Sequence, residues 1–168
     1  MPQLLQLTLT VEVLTSEADL TPAEARTWQA ARAATVHSYA PYSGFHVGAA
    51  LLLANGDIFP GTNQENAAYP SGLCAERTAL FGLAASQPHA GPIVGMAVAA
   101  RPAAGEFGPA MPCGACRQVM LEYEVRQRQP ISLLLPGPKG EIYRFASVGE
   151  LLPFHFSAND LPARGSDK

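Results

Sequence analysis

A chain of 168 residues, 48% apolar and 15% charged, is long enough for one domain that buries roughly two thirds of its unfolded surface, and this composition excludes a largely disordered protein. A net charge of −3 excludes a general attraction to phosphate backbones, so no nucleic-acid partner is expected. The longest apolar run, around Val47 to Ala54, falls far short of the ~20 residues that span a bilayer, and the N-terminus lacks the basic start and long apolar core of a secretory signal, so a cytoplasmic protein without a membrane partner is expected.

The first stretch, residues 1–20, mixes Leu, Thr and Gln and reads as an arm without a clear period. Thr21-Pro22-x-Glu24 then marks a helix start, with Thr21 as N-cap, Pro22 at the first position and Glu24 closing a capping box. Ala25, Trp28, Ala31, Arg32, Thr35 and Val36 recur at helical spacing, so a helix is predicted to about Tyr39, with Trp28 a core residue and Pro41 a stop. Val47 to Ala54, Asn55-Gly56 and Asp57 to Phe59 predict a hairpin, and Gly61 to Pro70 a polar loop. A helix is predicted from Cys74 to about Ala85, and a buried strand from Pro92 to Ala100. After a Gly/Pro-rich loop from Arg101 to Met111, a helix follows from Gly114 to about Arg128. Strands at Ile131 to Leu135 and Glu141 to Phe145 flank a turn at Gly137 to Gly140. Ser147 to Leu151 reads as one helical turn, and the tail 157–168 as polar and mobile at its end. There are no repeats and no linker, so residues 1–168 form a single α/β domain. Its expected architecture is three layers, α/β/α, with helices on both sides of a mixed five-stranded sheet.

All three cysteines lie in two short motifs, Cys74-Ala75-Glu76-Arg77 and Pro112-Cys113-Gly114-Ala115-Cys116. C-x-x-C in a cytosolic chain favours metal or redox chemistry over a structural disulfide. Catalytic zinc takes three protein ligands and keeps a fourth position for water, so Cys74, Cys113 and Cys116 suit one zinc ion with an open site. His37, His46, His89 and His155 stand in no ligand-like spacing. Both motifs open a predicted helix, where the dipole and free N–H groups stabilise thiolates. Three thiolates leave the site at −1, and Arg77 can donate to a ligand sulfur to offset that charge. Glu76, two residues from a ligand, can reach the water at the open position and move its protons without binding the metal. Alone it would be an ordinary first-turn glutamate; beside a distant P-C-x-x-C the catalytic reading is favoured.

C-x-E followed about 40 residues later by P-C-x-x-C is the signature of zinc nucleobase deaminases. With Tyr42-Ser43-Gly44-Phe45-His46-Val47-Gly48-Ala49-Ala50, Gly61 to Pro70, Arg117-Gln118, Leu151-Leu152-Pro153 and Phe156, the chain resembles the small homotetrameric cytidine deaminases from Tyr42 to Phe156. That resemblance implies zinc-dependent hydrolytic deamination of cytidine and 2′-deoxycytidine to the uridines with release of ammonia, a pyrimidine-salvage reaction. It implies Glu76 as catalytic proton carrier, Asn63 and Glu65 on the ribose 3′-hydroxyl, Phe45 stacked on the pyrimidine, and the Ala75 N–H with Glu76 on the base edge. It also implies that Phe156, Ala67 and Tyr69 cross between subunits of a homotetramer. Alone, Asn63 and Glu65 would read as a solvated polar loop and Phe45 as a core aromatic.

Four rival readings stand beside this one, among them a deaminase-like scaffold that has lost activity, against which an intact Glu76 argues. A deaminase of another aminopyrimidine nucleoside, such as blasticidin S, shares the zinc motifs. A polynucleotide deaminase would need the basic or aromatic stripe that is missing here. A structural-zinc module would need a fourth Cys or His ligand.

Overall fold

The fold is described from a computed structural model that covers residues 2–162; the end of the expected mobile tail, 163–168, lies outside the described residues. Nine main elements run in chain order: β1 (Glu12–Leu14), α1 (Pro22–Ala34), β2 (Phe45–Leu53), β3 (Ile58–Thr62), α2 (Ala75–Ser86), β4 (Ile93–Pro102), α3 (Gly114–Gln127), β5 (Ser132–Pro136) and β6 (Ile142–Phe145). The strands form one sheet in the order β1-β6-β5-β4-β2-β3. Only β4 and β5 pair in parallel, joined by the crossover that carries α3; the other neighbours are antiparallel.

The expected mixed α/β/α sheet is present with six strands instead of five. The additional strand, β1, lies in the arm that was expected to have no period. Its three residues pair with Ile142–Arg144 across more than 120 positions, a partner that local pattern cannot reveal. The helix predicted to Tyr39 stops being α-helical at Ala34, and a 3₁₀ turn, Thr35–His37, replaces its end. The start of the tail forms a capped 3₁₀ turn at Ala158–Asp160. The start of α1 is as read: Thr21 Oγ1 accepts from the Glu24 N–H, and the Glu24 carboxylate accepts from the Thr21 N–H.

Two packed layers explain which face each helix covers. On one face, Trp28 and Ala31 of α1 meet Ala50, Ala97, Ala99 and Leu134. On the other, Ala79, Leu80 and Leu83 of α2 and Met120 and Tyr123 of α3 meet Leu51, Met96, Val98, Leu133 and Leu135. Successive β4 residues therefore feed opposite layers, which is why its sequence is apolar throughout. Tyr123 donates its buried hydroxyl to the Leu80 carbonyl at 2.9 Å, tying α3 to α2. Gly61 sits where β3 runs under α2: a Cβ there would lie 2.4 Å from the Ala79 nitrogen and 2.7 Å from the Ala75 carbonyl oxygen. Gly48 does the same for α1 on the opposite face, 2.1 Å from the Ala31 oxygen. Among the described residues no helix is long and apolar enough to cross a membrane.

Candidate active site

The two tied helices aim their N-termini at one point. Cys74 is the N-cap of α2 and Cys113 the N-cap of α3, both in extended backbone conformation. Neither side chain caps a backbone N–H, so both sulfurs stay available while the helix ends supply positive potential. Cys116, in the first turn of α3, is fully buried beneath them. The Cys74 and Cys113 sulfurs are 3.9 Å apart, the Cys113 and Cys116 sulfurs 3.5 Å, and all three lie within 4.8 Å of one another. Tetrahedral zinc with sulfur ligands at 2.3 Å spaces those sulfurs by about 3.8 Å, so the donor set fits that ion. No histidine belongs to the cluster among the described residues. His46 instead meets the Ser38 hydroxyl, and His155 the Leu152 carbonyl.

Charge in the cluster is unevenly shared. Hydrogen bonding from Cys116, with help from Arg77 and Cys113, pulls the Cys74 thiol down to about 5 against the cost of burial. The same contact with Cys74, together with burial, pushes Cys116 far up. A cluster that ionises one thiol readily and resists the next is poised to exchange protons for a metal cation. Arg77 places Nη2 3.8 Å from the Cys74 sulfur. Its Nε is buried without a partner among the described residues.

Glu76 occupies the first turn of α2 and is only 4% exposed. Burial, and then the charge of Cys74, hold its carboxyl above the ordinary carboxylate range. A carboxyl whose proton affinity is raised suits a group that must both take and give a proton. Ala75, before it, is fully buried, and its N–H is the first of the helix, with no intrahelical partner.

Cys74, Glu76, Arg77 and Cys113 line the floor of a cleft of about 790 Å³ whose walls include Phe45, Asn63, Glu65 and Tyr69, with Cys116 buried behind it. Asn63 is largely committed to structure: Oδ1 accepts from the Val47 N–H and Nδ2 donates to the Phe45 carbonyl, each at 2.8 Å. One Nδ2 hydrogen remains for a ligand. The Glu65 carboxylate gathers the Tyr42 N–H at 2.9 Å and both the N–H and hydroxyl of Ser43. The Ser43 hydroxyl and then the Tyr42 N–H hold Glu65 below the usual carboxylate range. Phe45 starts β2 at the cleft wall and is 41% exposed. Ala67 and Phe156 are not among the residues lining this cleft. Phe156 is held through its carbonyl by Gln118 and leaves its ring exposed.

Sequence reasoning gave no role to Tyr42 and Ser43, although they stood in a quoted motif, nor to Pro109 and Ala110 on another part of the wall. The first pair could have been suspected from the turn after Pro41. The second lies in a Gly/Pro-rich loop with no chemical signal.

Comparison with known proteins agrees with this geometry. Residues 23–129 match the sequence model of the cytidine and deoxycytidylate deaminase zinc-binding region. The chain is 43% identical over 124 residues to the cytidine deaminase of Halalkalibacterium halodurans, covering 74% of this chain and 86% of that protein. It is 36% identical over 129 residues to the cytidine deaminase of Mycobacterium tuberculosis, covering 77% and 86%. A crystal structure of cytidine deaminase from Burkholderia pseudomallei superposes with a TM-score of 0.66 at 41% identity, over 78% of this chain and 97% of that one. Both cysteine motifs fall inside the matched region, and their sulfurs meet at zinc-ligand spacing: the chain belongs to the zinc-binding cytidine and deoxycytidylate deaminase family.

Proposed function

We propose that this chain is a cytidine deaminase that converts cytidine and 2′-deoxycytidine to uridine and 2′-deoxyuridine, releasing ammonia. The observation that carries this reading is the buried Glu76 carboxyl beside a three-thiol cluster at the floor of an open cleft. Cys74, Cys113 and Cys116 would hold zinc, which supplies Lewis acidity to a water at its remaining position.

The reaction exchanges the C4–N bond of cytosine for a C4–O bond, and the protein's task is to move two protons. Glu76 takes one from the attacking water and delivers it to ring N3. It takes the second and gives it to the amino nitrogen, so that ammonia and not amide departs. Its raised proton affinity matches both halves of that task. The Ala75 N–H fixes the base edge, and Phe45 supplies a stacking face. Glu65 and the free Nδ2 hydrogen of Asn63 bind the ribose 3′-hydroxyl. Arg77 withdraws charge from the Cys74 sulfur, which would make a zinc held there the stronger Lewis acid.

The same reading extends to a single domain that acts as a cytoplasmic homotetramer, with Phe156, Ala67 and Tyr69 serving neighbouring active sites. Support comes from the exposed Phe156 and Tyr69 rings, 59% and 76% accessible, and from the position of Phe156 outside its own cleft.

Loss of the cytidine absorbance band on mixing with purified protein, with zinc measured in the same sample, tests the proposal. Turnover with about one zinc per chain is expected. Zinc without turnover of either nucleoside would overturn the substrate assignment and leave the metal centre standing.

A further inference from the structure

We infer that the N-terminal arm is an assembly strand that pairs with the arm of a second copy of this chain. The arm runs directly into β1, the edge strand of the sheet. β1 pairs with β6 over only three residues, Glu12–Leu14, because β6 ends at Phe145 and the chain turns away. Residues 2–10 therefore have no strand opposite them and make no hydrogen bond among the described residues.

The arm is amphipathic in the strand sense. Leu5, Leu7, Leu9, Val11 and Val13 share one parity, and Gln6, Thr8, Thr10 and Glu12 the other. β1 shows which face is which. Val11 packs on the core layer under α3, while Glu12 pairs with Arg144 on the opposite side. The leucine stripe thus prolongs the α3-side face of the sheet beyond its edge, uncovered: Leu5 is 75% exposed, Leu7 53% and Leu9 52%.

Proteins ordinarily blunt such an edge with charge, proline or a covering element. Between Gln3 and Val11 there is neither a charged side chain nor a proline. A charged partner would find no complement here. A second arm would: an antiparallel pair about a two-fold axis sets neutral residues opposite neutral residues and merges two leucine stripes. The family match begins only at residue 23, so this strand is an addition to the catalytic unit. The inference does not depend on the proposed reaction.

Amide hydrogen exchange of the full-length protein tests it, because arm amides without partners among the described residues gain protection only from a further contact, and dilution separates a second chain from a fold-back. Exchange across residues 4–10 is expected to be slowed about a hundredfold or more at high protein concentration and to approach free-chain rates on dilution. Leu7→Lys with Leu9→Lys should abolish that protection while turnover persists, and Leu7→Val with Leu9→Val should retain it. Free-chain exchange at every concentration overturns the inference. So does protection that survives dilution to monomer, which would mean that the arm folds back on its own chain. Protection indifferent to the lysine pair, or gained only on adding neutral lipid vesicles, overturns it as well.

Discussion

Gly61→Ala turns the close approach of β3 and α2 into a measurable quantity. The new methyl would lie 2.4 Å from the Ala79 nitrogen and 2.7 Å from the Ala75 oxygen, whereas ordinary contact begins at 3.4 Å. All of those atoms are backbone, so α2 must retreat by about 1 Å. Overpacking of this kind costs about 1–3 kcal/mol, and a rigid neighbour places it at the upper end. At about 2–4 °C per kcal/mol for a chain of this size, the melting midpoint should fall by about 6–12 °C. Cys74 and Glu76 ride on that helix. Metal sites tolerate about 0.2 Å in ligand distance, and a 1 Å misplacement of reacting groups costs about a hundredfold in rate. Zinc affinity and turnover should therefore both fall, and turnover should not recover when zinc is added in excess. Gly82→Ala on the same helix is the control. Its methyl meets only the Phe59 ring at 3.2 Å, and helix propensity gains up to about 1 kcal/mol, so the midpoint should hold or rise. A Gly61→Ala protein that melts and turns over like the parent would refute the claim that this contact sets the helix position.

Four further outcomes are expected. Glu76→Gln should keep zinc and fold but lose about 10²–10⁴-fold in kcat; near-normal turnover would remove Glu76 from proton transfer. Arg77→Gln should lower kcat or zinc affinity about tenfold with little change in melting midpoint, as measured by turnover and chelator competition, and unaltered values would leave Arg77 without influence on the metal. Glu124 accepts hydrogen bonds from the Ile131, Val148 and Gly149 N–H groups and the Ser147 hydroxyl, so Glu124→Ala should cost about 2–3 kcal/mol in denaturant unfolding through orphaned donors. For Glu24, burial raises the carboxyl's proton affinity, but the Thr21 hydrogen bonds and Arg144 outweigh it and hold the pKa low. A lowered folded-state pKa contributes stability that is present above the unfolded value and lost as pH falls through the folded one. Glu24→Gln should therefore be less stable than the parent at pH 7, with the gap closing in melts run at progressively more acid pH.

What could be read from the sequence was local chemistry. Cys74, Cys113 and Cys116 announce themselves by residue type and spacing, and Thr21 and Glu24 form the box their spacing prescribes. What escaped was pairing at a distance. β1 is a strand only because β6 lies beside it, and the Leu/Thr alternation that leads into it has no local turn to mark it. Asn63 and Glu65 look like solvated loop residues until β2 and the turn at Tyr42-Ser43 arrive to bind them. The wall at Pro109 to Met111 is a loop placed by the elements around it, and composition alone says nothing of where such a loop comes to rest.

Both helices that carry the thiols begin on a ligand, and Tyr123 fastens one helix to the other well below that point. Metal release is therefore mechanical as much as chemical. Fraying one turn at either helix start swings a sulfur out of reach, and parting the seam at Tyr123 separates two ligands at once. The rate at which a chelator strips the ion should then track the opening of this seam, making metal exchange a gauge of how firmly the two helices are clasped.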